Sequence, residues 1–390
     1  MILSGDVAFL FFASVFILFM TPAVAYFYGG LVTEKFTNTM IMQTFFAIPL
    51  ITLVWGILGF SLAYGESVLG GFCGNLDFAC FQNLLDDSRN IWAPGVPLTI
   101  YFVVQLSFAV ITPVLIIGAL IGRLRFRPFV AFFILWSLLV YSPLVHWVWG
   151  GGFLSRLGYI DFAGGLPVHG IAGFSSLAAV FAIGNREKPE DGPSNLMYVA
   201  IGVGILYAGW LIFNASAALG ANATACLAAV NTLISSGASC IAWLLLAYRD
   251  NKKITVSDVI FGAFAGLVIS TPTGGFVAPW VMLPAGFLGG IACYLAIAFR
   301  IKRGWDDSLD VWGLHGVAGF LGVLLLGLFA HPDLAPAAGS FYGNPGQVGI
   351  EALGLLIGGV YCFAVTFVMV KIINRISRFR QDGEAPEVFE

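Results

Sequence analysis

The chain has 390 residues, of which 59% are hydrophobic and only 10% are charged, and its mean hydropathy is +0.92. Because a soluble domain carries about 25% charged residues, this composition excludes a soluble globular protein and indicates a polytopic membrane protein. The formal net charge of −3 is small. No part of the sequence suggests recognition of nucleic acid.

Eleven apolar segments are long enough to cross a bilayer, for which a helix needs about 20 residues. In chain order they lie near 7–32, 40–64, 98–121, 129–149, 163–184, 196–216, 224–247, 256–271, 279–300, 311–330 and 348–370. The first segment follows no basic region, so we expect a retained span and not a signal peptide. The segment near 256–271 is short and ends in Thr271-Pro-Thr-Gly-Gly275. Such a break is tolerated only where protein or a cavity covers the backbone.

Basic residues are distributed unevenly between the two ends of these segments. One side receives 16 of the 18, and the other receives only Arg89 and Arg156. The positive-inside rule therefore predicts an N-terminus outside and a C-terminus in the cytoplasm. We expect a multi-pass protein of the cell (inner) membrane, with residues 1–374 forming the transmembrane domain and 375–390 a short cytoplasmic tail.

One hexapeptide occurs twice, as HGIAGF at His169–Phe174 and as HGVAGF at His315–Phe320. Ionisable residues inside a span are costly and usually functional, so both histidines are candidate site residues. The copies lie in the fifth and tenth segments. Because five is an odd number, the second half enters the membrane inverted, as in many transporters. The alternative is a duplicated helix whose histidines only form hydrogen bonds inside the bundle.

Each histidine also has an aspartate upstream, Asp161 for the first and Asp310 for the second. If both aspartates begin their helices, His169 lies about 12 Å deep from one face and His315 about 7.5 Å from the other. In a hydrocarbon core roughly 30 Å thick, these two depths leave about 10 Å between the histidines. Contact between the histidines therefore requires tilted or recessed helices.

The cysteines do not form a framework, because four of the six lie in apolar segments as small core residues. Cys73 and Cys80 lie in the same loop, where an oxidising compartment would permit a disulfide. A disulfide and two free thiols are equally compatible with the sequence. The four histidines have no nearby partner of the kind that zinc enzymes use. We therefore predict no metal site and no cofactor.

Several motifs carry a family resemblance. They are FYGGL at Phe27–Leu31, ITPVLIIGAL at Ile111–Leu120, HWVWGGG at His146–Gly152, DFAGG at Asp161–Gly165, GWLIFN at Gly209–Asn214, and Asp310 with His315-Gly316. In this order they resemble the Amt branch of the Amt/Mep/Rh ammonium transporter family. The resemblance implies an ammonium-transporter-like fold of eleven helices, a 5+5 inverted repeat plus a final helix. It also implies a homotrimer with one pore in each subunit.

The resemblance also implies an external recruitment site for ammonium. Trp149 matches its tryptophan, Phe108 its aromatic partner, and Asp161 a nearby aspartate. A small cation on a ring face gains about 0.5–2 kcal/mol, and tryptophan is the best face. Where the family often has serine this chain has Ala217, with Ser216 one residue earlier and about 100° away around a helix. Ser216 is nevertheless our candidate hydroxyl. Without the resemblance, Trp149 would be an interfacial anchor and Asp161 a helix cap.

Beyond recruitment, the resemblance implies a gate of two phenylalanines and a narrow pore. Phe108 and Phe213 match the gate, Trp210 a pore tryptophan, and His169 and His315 the twin histidines. A bare cation in an apolar pore costs tens of kcal/mol on the Born estimate. Neutral ammonia is therefore expected to cross while the imidazoles pass the proton, since their nitrogens can donate or accept. For the phenylalanines the alternative is ordinary core packing.

Departures from the family pattern leave a second function open. Val104 stands where another aromatic is frequent, and Phe36 follows Lys35 in place of the usual asparagine. The ten residues after Arg380 lack the regulatory segment associated with a PII-type signalling partner. These features favour an ammonium receptor of the same fold, whereas the matched gate and histidines favour transport, which we rank first. No nucleophile–base pair suggests an enzyme.

Overall fold

The structure is a computed structural model that describes residues 2–123, 125–186 and 194–379. Within these ranges, eleven helical segments are long and apolar enough to cross a membrane, and each overlaps one of the predicted segments. They are α1 (Ser4–Leu31), α2 (Phe36–Tyr64), α3 (Leu98–Leu120), α4 (Phe126–Arg156), α5 (Gly165–Ile183), α6 (Leu196–Ser216), α7 (Ala223–Asn251), α8 (Val256–Thr273), α9 (Pro279–Arg303), α10 (Trp312–Phe329) and α11 (Gln347–Ile376). The chain is therefore an all-α, multi-pass membrane protein.

The connections carry little regular structure. Between α2 and α3, strands β1 (Ser67–Val68) and β2 (Cys73–Gly74) form a short antiparallel hairpin. Single 3-10 turns lie at Leu69–Gly71, Ala79–Phe81, Asp87–Arg89 and Ser340–Tyr342. Cys73 and Cys80 are free thiols, so the disulfide that their loop permits is not formed. Residues 149–152 interrupt α4 before its last turn.

Helices α5 and α10 cross in antiparallel directions at their closest approach. The start of α5, at Gly165, lies against Val323 of α10, whereas Gly173 lies against Gly316 near the start of α10. A Cβ atom on Gly173 would come within 2.3 Å of the Gly316 nitrogen. Only glycine permits this backbone contact. Gly173 of the first hexapeptide and Gly316 of the second thus let the inverted halves come into contact.

The first helices of the two halves, α1 and α6, pack in the same antiparallel way. Gly209 of α6 lies against Met20, and Gly202 lies against the backbone of Phe27. Because the contacts advance along one helix as they retreat along the other, α1 and α6 run in opposite directions. The two pairs together confirm the 5+5 inverted repeat with α11 outside it.

Both histidine helices begin with a turn of π-helix, over Gly165–Gly170 in α5 and Trp312–Gly316 in α10. Such turns are frequent at functional sites. The Asp161 carboxylate caps α5 by accepting hydrogen bonds from the backbone N–H groups of Gly164, Gly165 and Leu166, at 2.7–2.8 Å. The expectation that Asp161 caps this helix is confirmed.

Asp310 lies at the start of α10 as expected, since its backbone oxygen accepts from the Leu314 N–H at 2.8 Å. The side chain that caps this helix, however, is that of Asp307. Asp307 accepts from the N–H groups of Val311 and Trp312 at 3.1 and 2.7 Å, whereas Asp310 pairs with Arg300. Asp307 lies eight residues before His315, the same interval that separates Asp161 from His169. His169 comes four residues after the first residue of α5 and His315 three residues after the first residue of α10, so both histidines lie near the starts of their helices.

Candidate functional site

The two repeat histidines are in contact with each other inside the bundle. The Nδ1 atom of His169 lies 3.1 Å from the Nδ1 atom of His315, and both side chains are buried. One of these nitrogens must carry the proton that the other accepts, because two N–H groups or two lone pairs cannot form a hydrogen bond. The pair is therefore chemically unequal in any one arrangement. The expected contact between the histidines is present.

Trp210 packs against one side of the histidine pair. Its ring stacks on His169 with centroids 5.1 Å apart, and its Nε1 donates to Thr271 Oγ1 at 3.0 Å. Thr271 lies in the Thr-Pro-Thr stretch at the end of α8. That stretch is buried by protein, as a break at membrane depth requires.

A narrow cavity, called here the pore cavity, follows the histidines. Its volume available to the centres of water-sized molecules is about 20 Å³, enough for about one such molecule. Apart from the imidazoles, its walls are almost entirely apolar. They are formed by Met20, Val24, Phe27, Tyr28, Ile111, Leu115, Val168, His169, Leu206, Trp210, Phe213, Phe264 and His315.

Two phenylalanine rings in contact with each other connect the pore cavity to a second cavity. The Phe108 and Phe213 centroids are 4.4 Å apart, with the ring planes tilted by 47°. Phe213 faces the pore cavity, whereas Phe108 faces a second, larger cavity. The two rings are thus the partition between these spaces.

The larger cavity, called here the vestibule, has about 180 Å³ available to the centres of water-sized molecules. Trp149 forms part of its wall and lies edge-on to Phe108, with centroids 6.2 Å apart. The Trp149 Nε1 donates to the backbone oxygen of Asp161 at 2.8 Å, which fixes the indole. The lining residues are Trp92, Tyr101, Val104, Gln105, Phe108, Trp149, Phe162, Ala163, Ser216, Ala217 and Leu219.

Asp161 lies behind the vestibule wall and is not among its lining residues. Burial raises the pKa of its carboxyl to about 6, against the opposing effect of the three backbone N–H groups. Any influence of its charge on the vestibule therefore acts through space and not by contact. Asp161 also positions Trp149 through its backbone oxygen.

Ser216 and Ala217 both line the vestibule, so the expected 100° separation between them does not turn one away. Helix α6 ends at Ser216, and the Ala217 N–H bonds to the Asn214 oxygen in a tighter turn, at 3.2 Å. The Ser216 hydroxyl donates to the Phe213 backbone oxygen at 2.9 Å. Its oxygen can also accept, because a hydroxyl has one proton and two acceptor positions.

Tyr101, Gln105 and Trp92 are vestibule residues that our sequence reasoning missed. Tyr101 and Gln105 precede Phe108 on α3 by seven and three residues, a spacing that places all three on one helix face. That periodicity was sufficient to find them. Trp92 comes from the loop before α3 and stacks on Tyr101, with centroids 5.6 Å apart and planes within 10°. No local signal indicated that contact.

Inverted halves in a multi-pass bundle, with an ionisable pair in a buried and mainly apolar cavity, are typical of membrane transporters. The chain belongs to the Ammonium Transporter Family, whose model matches residues 8–388. It is 39% identical to the ammonium transporter of Aquifex aeolicus over 98% of this chain and 90% of that one. It is 37% identical to the ammonium transporter of Bacillus subtilis, over 97% and 94%.

Solved structures agree with this assignment. The crystal structure of Saccharomyces cerevisiae Mep2 matches with a TM-score of 0.92 and 28% identity, covering 98% of this chain and 88% of that one. A structure described as a sensor Amt protein matches with a TM-score of 0.89 and 25% identity, covering 97% and 95%. The family predicted from the sequence motifs is confirmed.

Proposed function

We propose that this protein transports ammonium across the membrane along a path from the vestibule, past Phe108 and Phe213, to the histidine pair. The observation that carries the proposal is the direct Nδ1–Nδ1 contact of His169 and His315 inside an otherwise apolar pore. Membership of the ammonium transporter family supports the same substrate.

The vestibule suits the recruitment of a small cation. Trp149 and Phe108 offer ring faces, the Ser216 oxygen offers an acceptor, and the Asp161 carboxylate adds a negative charge behind the wall. The Phe108–Phe213 partition then separates this space from the pore cavity. Since the pore cavity has few polar groups, carrying an unpaired charge through it costs far more than carrying a neutral molecule. Ammonia therefore crosses, and the proton separates from it.

The histidine pair supplies the path for that proton. A proton that arrives at one imidazole moves to the other through the shared Nδ1 contact, because each ring can accept at one nitrogen and donate at the other. Trp210 keeps the imidazole of His169 in place by stacking on it. The gate and pore roles of these residues are parts of the proposal.

The proposal includes the setting of the protein. We place the N-terminus outside and the C-terminus in the cytoplasm of the cell membrane, because 16 of the 18 basic residues lie on one side. Residues 1–374 then form the transport domain, with lipid around it, and 375–390 the tail. A homotrimer and a PII-type regulatory partner are implied by the family resemblance. Native mass of the solubilised protein and co-purification test these two assignments.

Transport is tested by current in proteoliposomes after an ammonium jump, with wild type beside His169→Ala and His315→Ala. We expect a current in wild type that potassium does not produce, and in each variant either a lost current or a loss of selectivity. If both variants conduct ammonium normally and exclude potassium, the proton path is wrong. Ammonium binding by folded wild type without any current would favour the receptor instead.

A further inference from the structure

Gln105 presents a buried polar group beside the vestibule. Only 7% of the residue is exposed, and it lines the cavity three residues before Phe108 on the same face of α3. Its Oε1 accepts no hydrogen bond from the described residues. Buried polar atoms are nearly always hydrogen-bonded. An unpaired carbonyl oxygen next to a cavity is therefore a candidate ligand-binding atom.

The Gln105 side chain lies beside an aromatic residue of the same helix. Its side chain interacts with the hydroxyl of Tyr101, which lies one helical turn earlier. Tyr101 is in turn held by stacking on Trp92. Because an amide oxygen can only accept, the Gln105 Oε1 suits a ligand that carries N–H donors.

The chemistry of ammonium fits this acceptor. The ion has four N–H donors and no lone pair, so it needs several acceptors in different directions. The vestibule offers the faces of Trp149 and Phe108 and, from α6, the Ser216 oxygen. An amide oxygen on α3 adds an acceptor from a different helix. It carries no full charge, so it orients the ion without holding it as strongly as a carboxylate would.

We propose that the Gln105 Oε1 accepts a hydrogen bond from ammonium in the vestibule and is a substrate-binding group of the protein. The inference rests on the proposed role of the vestibule as the recruitment site. Gln105 then lowers the concentration at which transport saturates. It takes no part in the proton path beyond the Phe108–Phe213 partition.

The experiment measures the half-saturating ammonium concentration of the current in proteoliposomes. Gln105→Met keeps the length of the side chain and removes the acceptor. We expect half-saturation to rise about tenfold or more, the usual effect of losing a hydrogen bond to a charged group. The maximal current should stay near wild type, because only binding is weakened. Gln43→Met is the matched control, since Gln43 is a buried glutamine of α2 outside the vestibule, and it should leave half-saturation unchanged.

Trp149→Leu separates the two proposals. Raised half-saturation in Trp149→Leu together with an unchanged value in Gln105→Met would overturn the role of Gln105 and leave the vestibule in place. Unchanged values in both variants would reject the vestibule as the recruitment site, and with it the proposed path. If Gln105→Met does not fold, Gln105→Asn retains the amide but withdraws its oxygen by one methylene. Wild-type half-saturation in a folded Gln105→Asn would then reject the inference.

Discussion

The two capping aspartates allow the charge of Asp161 to be tested apart from its cap. One oxygen of the Asp161 carboxylate accepts hydrogen bonds from the Gly164 and Gly165 N–H groups, and the other accepts from the Leu166 N–H. Asp161→Asn keeps one oxygen and turns an NH₂ group toward the remaining donor. We expect a loss of about 1–3 kcal/mol of stability, the cost of an unpaired buried donor.

Asp307→Asn is the matched control. Asp307 receives the N–H groups of Val311 and Trp312 on separate oxygens, so this change also leaves one donor unpaired. The two variants should therefore show similar decreases in melting temperature. Only Asp161 lies behind the vestibule, where its backbone oxygen holds Trp149.

Loss of the negative charge of Asp161 should lower the affinity for ammonium. At an effective dielectric constant of about 20, Coulomb's law gives about 4 kcal/mol for two charges in contact at about 4 Å and half of that at twice the distance. Because Asp161 does not line the vestibule, we use the smaller value of about 2 kcal/mol, or about thirtyfold in affinity. Half-saturation should rise by that order in Asp161→Asn and stay near wild type in Asp307→Asn. Because the pKa of Asp161 is raised to about 6, its charge is lost as pH falls through that value. Wild-type half-saturation should therefore rise below about pH 6, and Asp161→Asn should flatten that rise.

The assay is the ammonium-jump current in proteoliposomes between pH 5 and 8, with melting temperature measured on the same preparations. Equal half-saturation for Asp161→Asn and Asp307→Asn, in folded protein, would remove charge from the function of Asp161 and leave it a structural cap. A decrease in melting temperature confined to one variant would instead contradict the equivalence of the two caps.

Three further changes test particular contacts. Ala217→Ser adds a hydroxyl to the vestibule wall and should lower half-saturation by about tenfold, given about 1.5 kcal/mol for a hydrogen bond to a charged group; an unchanged value would mean that Ser216 already supplies the acceptor. Glu351, buried in α11, accepts from the Ile160 N–H at 3.0 Å, so Glu351→Gln should keep the wild-type melting temperature and Glu351→Leu should lower it; equal values would show that this contact contributes nothing. The pKa of Asp306 lies below its usual range, because burial, which acts to raise it, is outweighed by the charges and hydrogen bonds of Arg186 and Arg123. Its contribution to stability is thus present above about pH 4 and lost as pH falls through the folded pKa; Asp306→Asn should reduce the acid sensitivity of melting, and an unchanged pH profile would refute this.

The sequence by itself determined the membrane class, the eleven spans and the inverted halves. Apolar length decides whether a segment spans, and the odd number of segments in each half decides its direction. The two histidines were identifiable because an ionisable residue within a span is rare and costly. These properties are local to each segment, so no knowledge of packing was needed.

The tertiary structure decided which side chains meet. Asp307 and Asp310 lie in the same short loop, and only the direction of their side chains shows that Asp307 caps α10. Glu351 contacts the backbone of Ile160 across 191 residues of chain. Helical periodicity specifies a face but not the helix that packs against it, so the Gln105 and Ser216 sides of the vestibule became one site only when α3 and α6 were placed together.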